Sequence, residues 1–287
     1  MAGILWGIIS LFVRVMNAAG LTSMQIVAIR VFLSAICMII YLLLTDKKKL
    51  KINIRDLPLF LGTGICSIVF FNFCYFEAIE IIGGSAVPAL LLYTAPIFVM
   101  ILSLIFFRER MTRRKCAALL LTLAGLVLVT GALSSGKMVP AAGIMFGIGS
   151  GLGYSLYSIF GKFLTPKYSA ETITAYTFIV ASCCAVPFSG IIPKLQLSGS
   201  LPVVSSSLAL AVLCTVLPFI LYTKGLQGME AGKASILATA EPFMAAITGM
   251  LFFHEKMTLS KLSGMVLILA AIIIMNSAKT SSETPSV

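Results

Sequence analysis

A chain of 287 residues that is 59% hydrophobic and 11% charged carries too much apolar surface for a water-soluble fold, where about 25% of residues are charged. Its solvent is a bilayer. The formal net charge of +11 would suggest nucleic acid in a soluble protein, but here Lys and Arg collect in short loops between apolar stretches, a mark of membrane topology, and no nucleic-acid partner is expected.

Ten apolar stretches follow one another, at approximately 2–19, 22–45, 57–80, 84–107, 113–131, 139–161, 171–192, 203–227, 231–253 and 259–277. Each is long enough to cross a hydrocarbon core of about 30 Å. Without water for the backbone amides, each should be helical, and none alternates polar with apolar residues as barrel strands do. The first stretch lacks the basic leader of a signal peptide and runs directly into the second, so it is read as a span of the mature protein. Its abrupt start at Met1 is compatible with a few residues upstream of this sequence. Span 1 carries Trp6 and, near its far end, Arg14; span 2 carries Arg30 about eight residues in. A loop with Lys47, Lys48, Lys49, Lys51 and Arg55 leads to span 3, which holds Asn72, Tyr75, Glu77 and Glu80. Gly83-Gly84 turns the chain into span 4, which holds Tyr93 and Pro96 and ends in Phe106-Phe-Arg-Glu-Arg-Met-Thr112. Span 6 spaces Gly143, Gly147 and Gly151 four apart, a pattern that lets helices approach closely. Span 9 holds Glu241-Pro242 and ends in Phe252-Phe-His-Glu-Lys-Met-Thr258.

Those two endings are copies. An offset of 146 residues aligns Phe106 with Phe252, Pro96 with Pro242 and Phe76 with Tyr222 without a gap; from Pro96 to Thr112, 7 of 17 positions are identical. Near the start of each copy, Ser10, Leu11, Phe12 and Arg14 match Ser158, Ile159, Phe160 and Lys162. A chain that repeats at half its length is two copies of one folding unit. The first copy spans 1–131 and the second 139–277, with a polar tail at 278–287. Five spans per copy force the second to enter the membrane the other way up. The fold class is therefore an all-α membrane protein of ten transmembrane helices in two inverted five-helix repeats.

Charge gives the orientation. The two basic loops (47–55 and Arg108, Arg110, Arg113, Arg114, Lys115), with Lys162, Lys167, Lys224, Lys233 and Lys279, fall on one side; Lys137, Lys194, Lys256 and Lys261 fall on the other. Cytoplasmic loops are rich in Lys and Arg, so both termini are expected in the cytoplasm of a multi-pass plasma-membrane protein.

With its Leu5-Trp-Gly7, Arg30 in span 2, a Pro in spans 4 and 9 followed by FF-x-E-x-M-T, and the Glu241-Pro242 pair, the chain resembles the drug/metabolite transporter superfamily, and within it the EamA family of ten-span permeases, from about Ala2 to Ser277. Tyr154 stands where span 6 of that family usually has Trp. The resemblance implies a secondary transporter, working by alternating access and directed outward, for small metabolites such as amino acids or amines. It also implies a central cavity enclosed by spans 1–4 and 6–9, with spans 5 and 10 peripheral.

An ionised side chain within a span needs a partner, a wet cavity or a short route to the headgroups. Arg30 is deep enough to line a cavity, or to bind carbonyls of a neighbouring helix. Glu241 is the sharpest candidate: it lies near the midplane beside a Pro that frees a backbone carbonyl, and the first copy has Ala95 in its place. A carboxylate there could take up and release a proton, as coupling requires, or stay paired with Arg30 or a hydroxyl. Arg14, Glu77 and Glu80 lie near span ends and are expected in a local salt-bridge cluster. Glu109 and Glu255 are expected to hold the turns between spans 4–5 and 9–10. Rings within spans can pack, or present a face to a cation. The candidate substrate-binding set is Trp6, Arg30, Asn72, Tyr75, Tyr93, Tyr154, Tyr157, Tyr176 and Glu241, with Glu241 also the coupling residue.

The seven cysteines lie mostly inside spans, the one histidine is His254, and no metal-ligand spacing, phosphate loop or nucleophile elbow occurs. No catalytic residue, metal or cofactor is expected, and the chain is not expected to be an enzyme; the partners are a small-molecule substrate and the lipid bilayer, with a homodimer left open. The competing reading is a membrane-embedded enzyme or a non-transporting scaffold. A lipid-acting enzyme would cluster His, Asp or Glu near one interface, and here the carboxylates are scattered.

Overall fold

The computed structural model describes residues 1–132 and 139–277; Lys137, Lys279 and the tail at 278–287 lie outside them. Its helices are α1 Ala2–Ala18, α2 Ser23–Thr45, α3 Ile54–Ile82, α4 Ala86–Phe107, α5 Arg113–Thr130, α6 Ala141–Leu164, α7 Ala170–Phe188, α8 Leu201–Gly228, α9 Ala231–Phe253 and α10 Leu259–Asn276. Eight are long and apolar enough to cross a membrane. Of the other two, α1 is shorter and α5 opens on three basic residues. At 23 residues, α2 reaches about 34 Å. Its start is fixed by a capping box in which Thr22 Oγ1 accepts from the Gln25 amide and Gln25 Oε1 accepts from the Thr22 amide. Helix α7 stops at Phe188, four residues short of the expected end, and a 3₁₀ segment, Ile192–Gly199, follows.

The repeated motif is a helix stop joined to a helix start. Helix α4 ends on Arg108 at φ 54° and α9 on His254 at φ 53°, the left-handed closing residue that costs a side-chain-bearing residue about 1 kcal/mol. The next amide turns back six residues in each copy, Glu109 N to Ser103 O at 3.2 Å and Glu255 N to Gly249 O at 3.1 Å, a wide closure in which one carbonyl also takes the Arg108 or His254 amide. The Thr then caps the following helix: Thr112 Oγ1 accepts from Lys115 N, and Thr258 Oγ1 from Lys261 N.

Connections after even-numbered helices meet on one face. Lys49 and Leu50 carbonyls accept from Thr172 and Tyr176 at the start of α7. Asp56 accepts from Lys167 and Tyr168, and Glu109 contacts the start of α9. Connections after odd-numbered helices meet on the other, where Gln25 donates to Gly190 O and Arg14 faces Glu255. The first is the basic face. The outer wall exposes Phe32, Leu44, Ile105, Phe106, Leu120, Leu251, Phe252, Val266 and Ile273, as a lipid-facing surface should. Several buried hydroxyls satisfy themselves on carbonyls three residues back, as Ser150, Ser155, Ser235 and Thr239 do.

Three helices are interrupted: α1 at Gly7–Ile8, α4 at Tyr93–Thr94 and α9 at Thr239. The breaks in α4 and α9 precede the aligned prolines. Wide π turns occur at Gly62–Val69 in α3 and Val212–Val216 in α8, overlapping once the 146-residue offset is applied. Close packing holds the breaks. Gly151 places α6 against Thr94 and the Leu91 carbonyl, and Gly3 places α1 against the Ala238 carbonyl and the Glu241 amide. Helices α5 and α10 pack on each other through Gly125 and Gly264.

Candidate functional site

The breaks in α1 and α9 and the wide turn in α3 border a central cavity of about 500 Å³ of atom-free space, open solvent included. Helix α1 supplies Trp6 and Ile9, α2 Arg30, α3 Ser67, Ile68 and Phe71, α6 Tyr154, Tyr157 and Ser158, α8 Phe219 and Tyr222, and α9 Glu241. None of these lining residues comes from α5 or α10, and none from α4 or α7, which the expected enclosure had included. Its wall is an aromatic box. The Trp6 ring lies 5.3 Å from Phe219, 5.6 Å from Tyr222 and 6.3 Å from Tyr154, and Phe71 meets Tyr154 edge-on at 5.5 Å. Two hydroxyls are already committed, Tyr157 to Thr223 and Tyr222 to Ser158, each at 2.7 Å.

The polar groups that remain are few. Glu241 sits in the first turn of the second half of α9, and Tyr154 donates to its Oε2 at 3.4 Å. Arg30 Nε and Ser67 Oγ are buried without a hydrogen-bond partner. None of the ion pairs among the described residues includes Arg30 or Glu241, so one cation and one carboxylate share the cavity without closing on each other. Such a pair of opposite charges, walled by rings, can hold a small molecule that carries both signs.

Of the sequence candidates, Trp6, Arg30, Tyr154, Tyr157 and Glu241 come together here. Tyr93 lines a smaller adjoining pocket with Tyr154, Ser158 and Thr239. Two are placed elsewhere, Asn72 and Tyr176, while Tyr75 lies within electrostatic reach of Glu241. Asn72 turns onto its own helix, Nδ2 to Ile68 O at 2.7 Å. Tyr75 packs on Phe76 at 5.6 Å, and Tyr176 donates to Leu50 O at the basic rim and stacks on Phe60. Ser67, Phe71, Ser158, Phe219 and Tyr222 line the cavity without having been candidates; Tyr222 was traceable as the repeat partner of Phe76. The expected Arg14–Glu77–Glu80 cluster does not form. Arg14 pairs with Glu255 at 3.7 Å and lies over the Phe253 ring, because the two residues lie on the same face, one from each half.

The model of the EamA-like transporter family matches residues 1–131 and 141–277. The chain belongs to that family. Among relatives, an uncharacterised transporter of Archaeoglobus fulgidus is 30% identical over 278 residues, covering 96% of this chain and 93% of that protein. An uncharacterised inner membrane transporter of Salmonella typhimurium, YicL, is 24% identical over 284 residues, covering 96% and 92%. A protein of known crystal structure superimposes with a TM-score of 0.78 at 18% identity, over 95% of this chain and 93% of the other, a likeness of fold. As an EamA-like transporter, the protein is a multi-pass membrane protein that moves a small molecule across the bilayer. Its two family units meet at the cavity.

Proposed function

We propose that this protein is a secondary carrier for small zwitterionic metabolites, amino acids or related amines, directed outward and coupled to protons through Glu241. The observation that carries the reading is the placement of Arg30 and Glu241 in one aromatic-walled cavity with no ion pair between them. Arg30 would receive a substrate carboxylate, and the rings and Glu241 its ammonium group. A carboxylate at a helix break near the midplane is reachable from either face as the halves rock, which coupling requires. The basic face is the cytoplasmic one, with both termini on it.

The test is uptake into proteoliposomes of labelled amino acids, amines, nucleobases and sugars. Saturable exchange of an amino acid or amine is expected. It should fall about tenfold or more in Arg30→Gln, the weight of one charge-assisted hydrogen bond. Transport confined to uncharged sugars or nucleobases, and unchanged by that substitution, would overturn the reading.

A further inference from the structure

The chemistry that closes the basic face is present in duplicate, and only one copy is engaged. On that face the Glu109 carboxylate accepts from the amides of Ala231 and Gly232, at 2.8 and 3.2 Å, at the start of α9. Lys115 braces it, 3.8 Å from Glu109 and 2.8 Å from Glu230. From α6, Lys162 Nζ donates to the carbonyls of Leu226 and Met229 at 2.6 and 2.7 Å. The α8–α9 connection is thus gripped from both sides, amides by a carboxylate and carbonyls by an ammonium group, and Glu109 and Lys115 are 8% and 6% exposed.

The repeat supplies the same parts on the other face. Glu255 corresponds to Glu109, Lys261 to Lys115 and Arg14 to Lys162; Ser85 and Ala86 correspond to Ala231 and Gly232, and Glu80 and Gly83 to Leu226 and Met229. There the grip is absent. Arg14 and Glu255 are 58% and 44% exposed and turn to each other at 3.7 Å, and Lys261 holds Glu255 at 3.0 Å. A Cβ added at Gly83 or Gly84 would meet no atom within 4 Å, so the α3–α4 connection stands clear of the residues that match its twin's clamp.

We propose that Glu255 and Arg14 form a second clamp, which closes the face opposite the basic one by binding the Ser85 and Ala86 amides and the Glu80 and Gly83 carbonyls, while Glu109 and Lys162 release theirs. The inference rests on the alternating-access reading above and names the residues that position the two halves in each state. Because both clamps use a carboxylate on a helix start and a cation on a helix end, the two closed states are chemically matched. That is the condition for a bistable pair.

The test uses full-length protein in vesicles, its seven native cysteines replaced and Ser67→Cys added as a cavity reporter for a membrane-impermeant thiol reagent applied from either side. Glu109→Gln should raise labelling from the basic face and lower it from the other. Glu255→Gln should do the reverse, each by about tenfold in the ratio of the two rates. Shifts of the same sign, or none, overturn the clamp. A reporter that is reached from one side only, with or without substrate, in every variant overturns the alternating-access reading itself. Glu255 is exposed, so its variant folds independently of the clamp. As a second arm, oxidation of paired cysteines at Ser85 and Glu255 should link them and stop transport, as a pair at Glu109 and Ala231 should on the basic face. If the second pair links and the first never does, the proposal is wrong.

Discussion

Replacing Gly7 by Ala adds one methyl group where α1 crosses the break in α9. The backbone there is already right-handed helical, φ −63° and ψ −18°, so alanine brings no conformational strain and the whole effect is steric. The new carbon would lie 2.9 Å from the Ala245 amide and 2.9 Å from the Glu241 carbonyl, with Met244 Cβ closer still. No side-chain rotation relieves these contacts. Ordinary contact begins at 3.4 Å, so α1 and α9 must part by about an ångström to clear Met244 Cβ, an overpacking cost of about 1–3 kcal/mol. Gly161→Ala is the matched control: its carbon would meet Leu226 Cδ1 at 3.5 Å, and the swap in a helix should stabilise by about 0.5–1 kcal/mol. The same substitution therefore has opposite signs at the two sites, readable as melting in detergent micelles. Trp6, the one tryptophan of the chain, gives a second readout, since its ring faces the cavity from the same turn. Gly7→Ala that melts at or above wild type with unchanged Trp6 emission would refute the steric account.

Three further outcomes are expected. Glu241→Gln keeps its shape and loses its charge change, so labelled exchange should persist while accumulation driven by an imposed pH difference disappears; persistent accumulation would move the coupling site elsewhere. A reporter fused after Val287 should be active only on the cytoplasmic side, and activity on the opposite side would remove the orientation drawn from the basic face. The hydrogen bond from Lys167 to Asp56 at 2.6 Å holds that ammonium group above the ordinary lysine value. A lysine favoured in the folded state contributes below its unfolded value, about 10.4, and the contribution is lost as pH rises through the folded one. The melting difference between wild type and Lys167→Met should accordingly be present at neutral pH and vanish in strong alkali.

Much of the fold was legible because membrane helices announce themselves by length and apolar content, and because a repeat of odd helix number fixes its own inversion. The cavity was half legible. Arg30 and Glu241 stood out because an ionised group in hydrocarbon needs a reason. Asn72 and Tyr176 showed equally polar letters, but Asn72 bonds to its own helix and Tyr176 to the rim, and composition does not record which way a side chain turns. The wide turns leave no mark in the sequence, since each sits where its helix packs on distant ones, α3 on α6 and α7, and α8 on α2 and α1. Glu109 was read as holding its own turn. Its local part, the helix ending, is written in the motif, whereas its bond to α9 joins residues more than a hundred positions apart.

The pairing of Ala95 with Glu241 has an evolutionary consequence. Duplication gave both halves the break before the aligned proline, the left-handed helix stop and the threonine cap, and these scaffold positions are constrained twice, once in each copy. The cavity's chemical endowment is not duplicated: the acid lies in one half and the base, Arg30, in the other. Divergence at these few positions can change cargo while leaving the machinery of movement intact, so descendants of one duplicated gene can share every structural signature and still serve different metabolites.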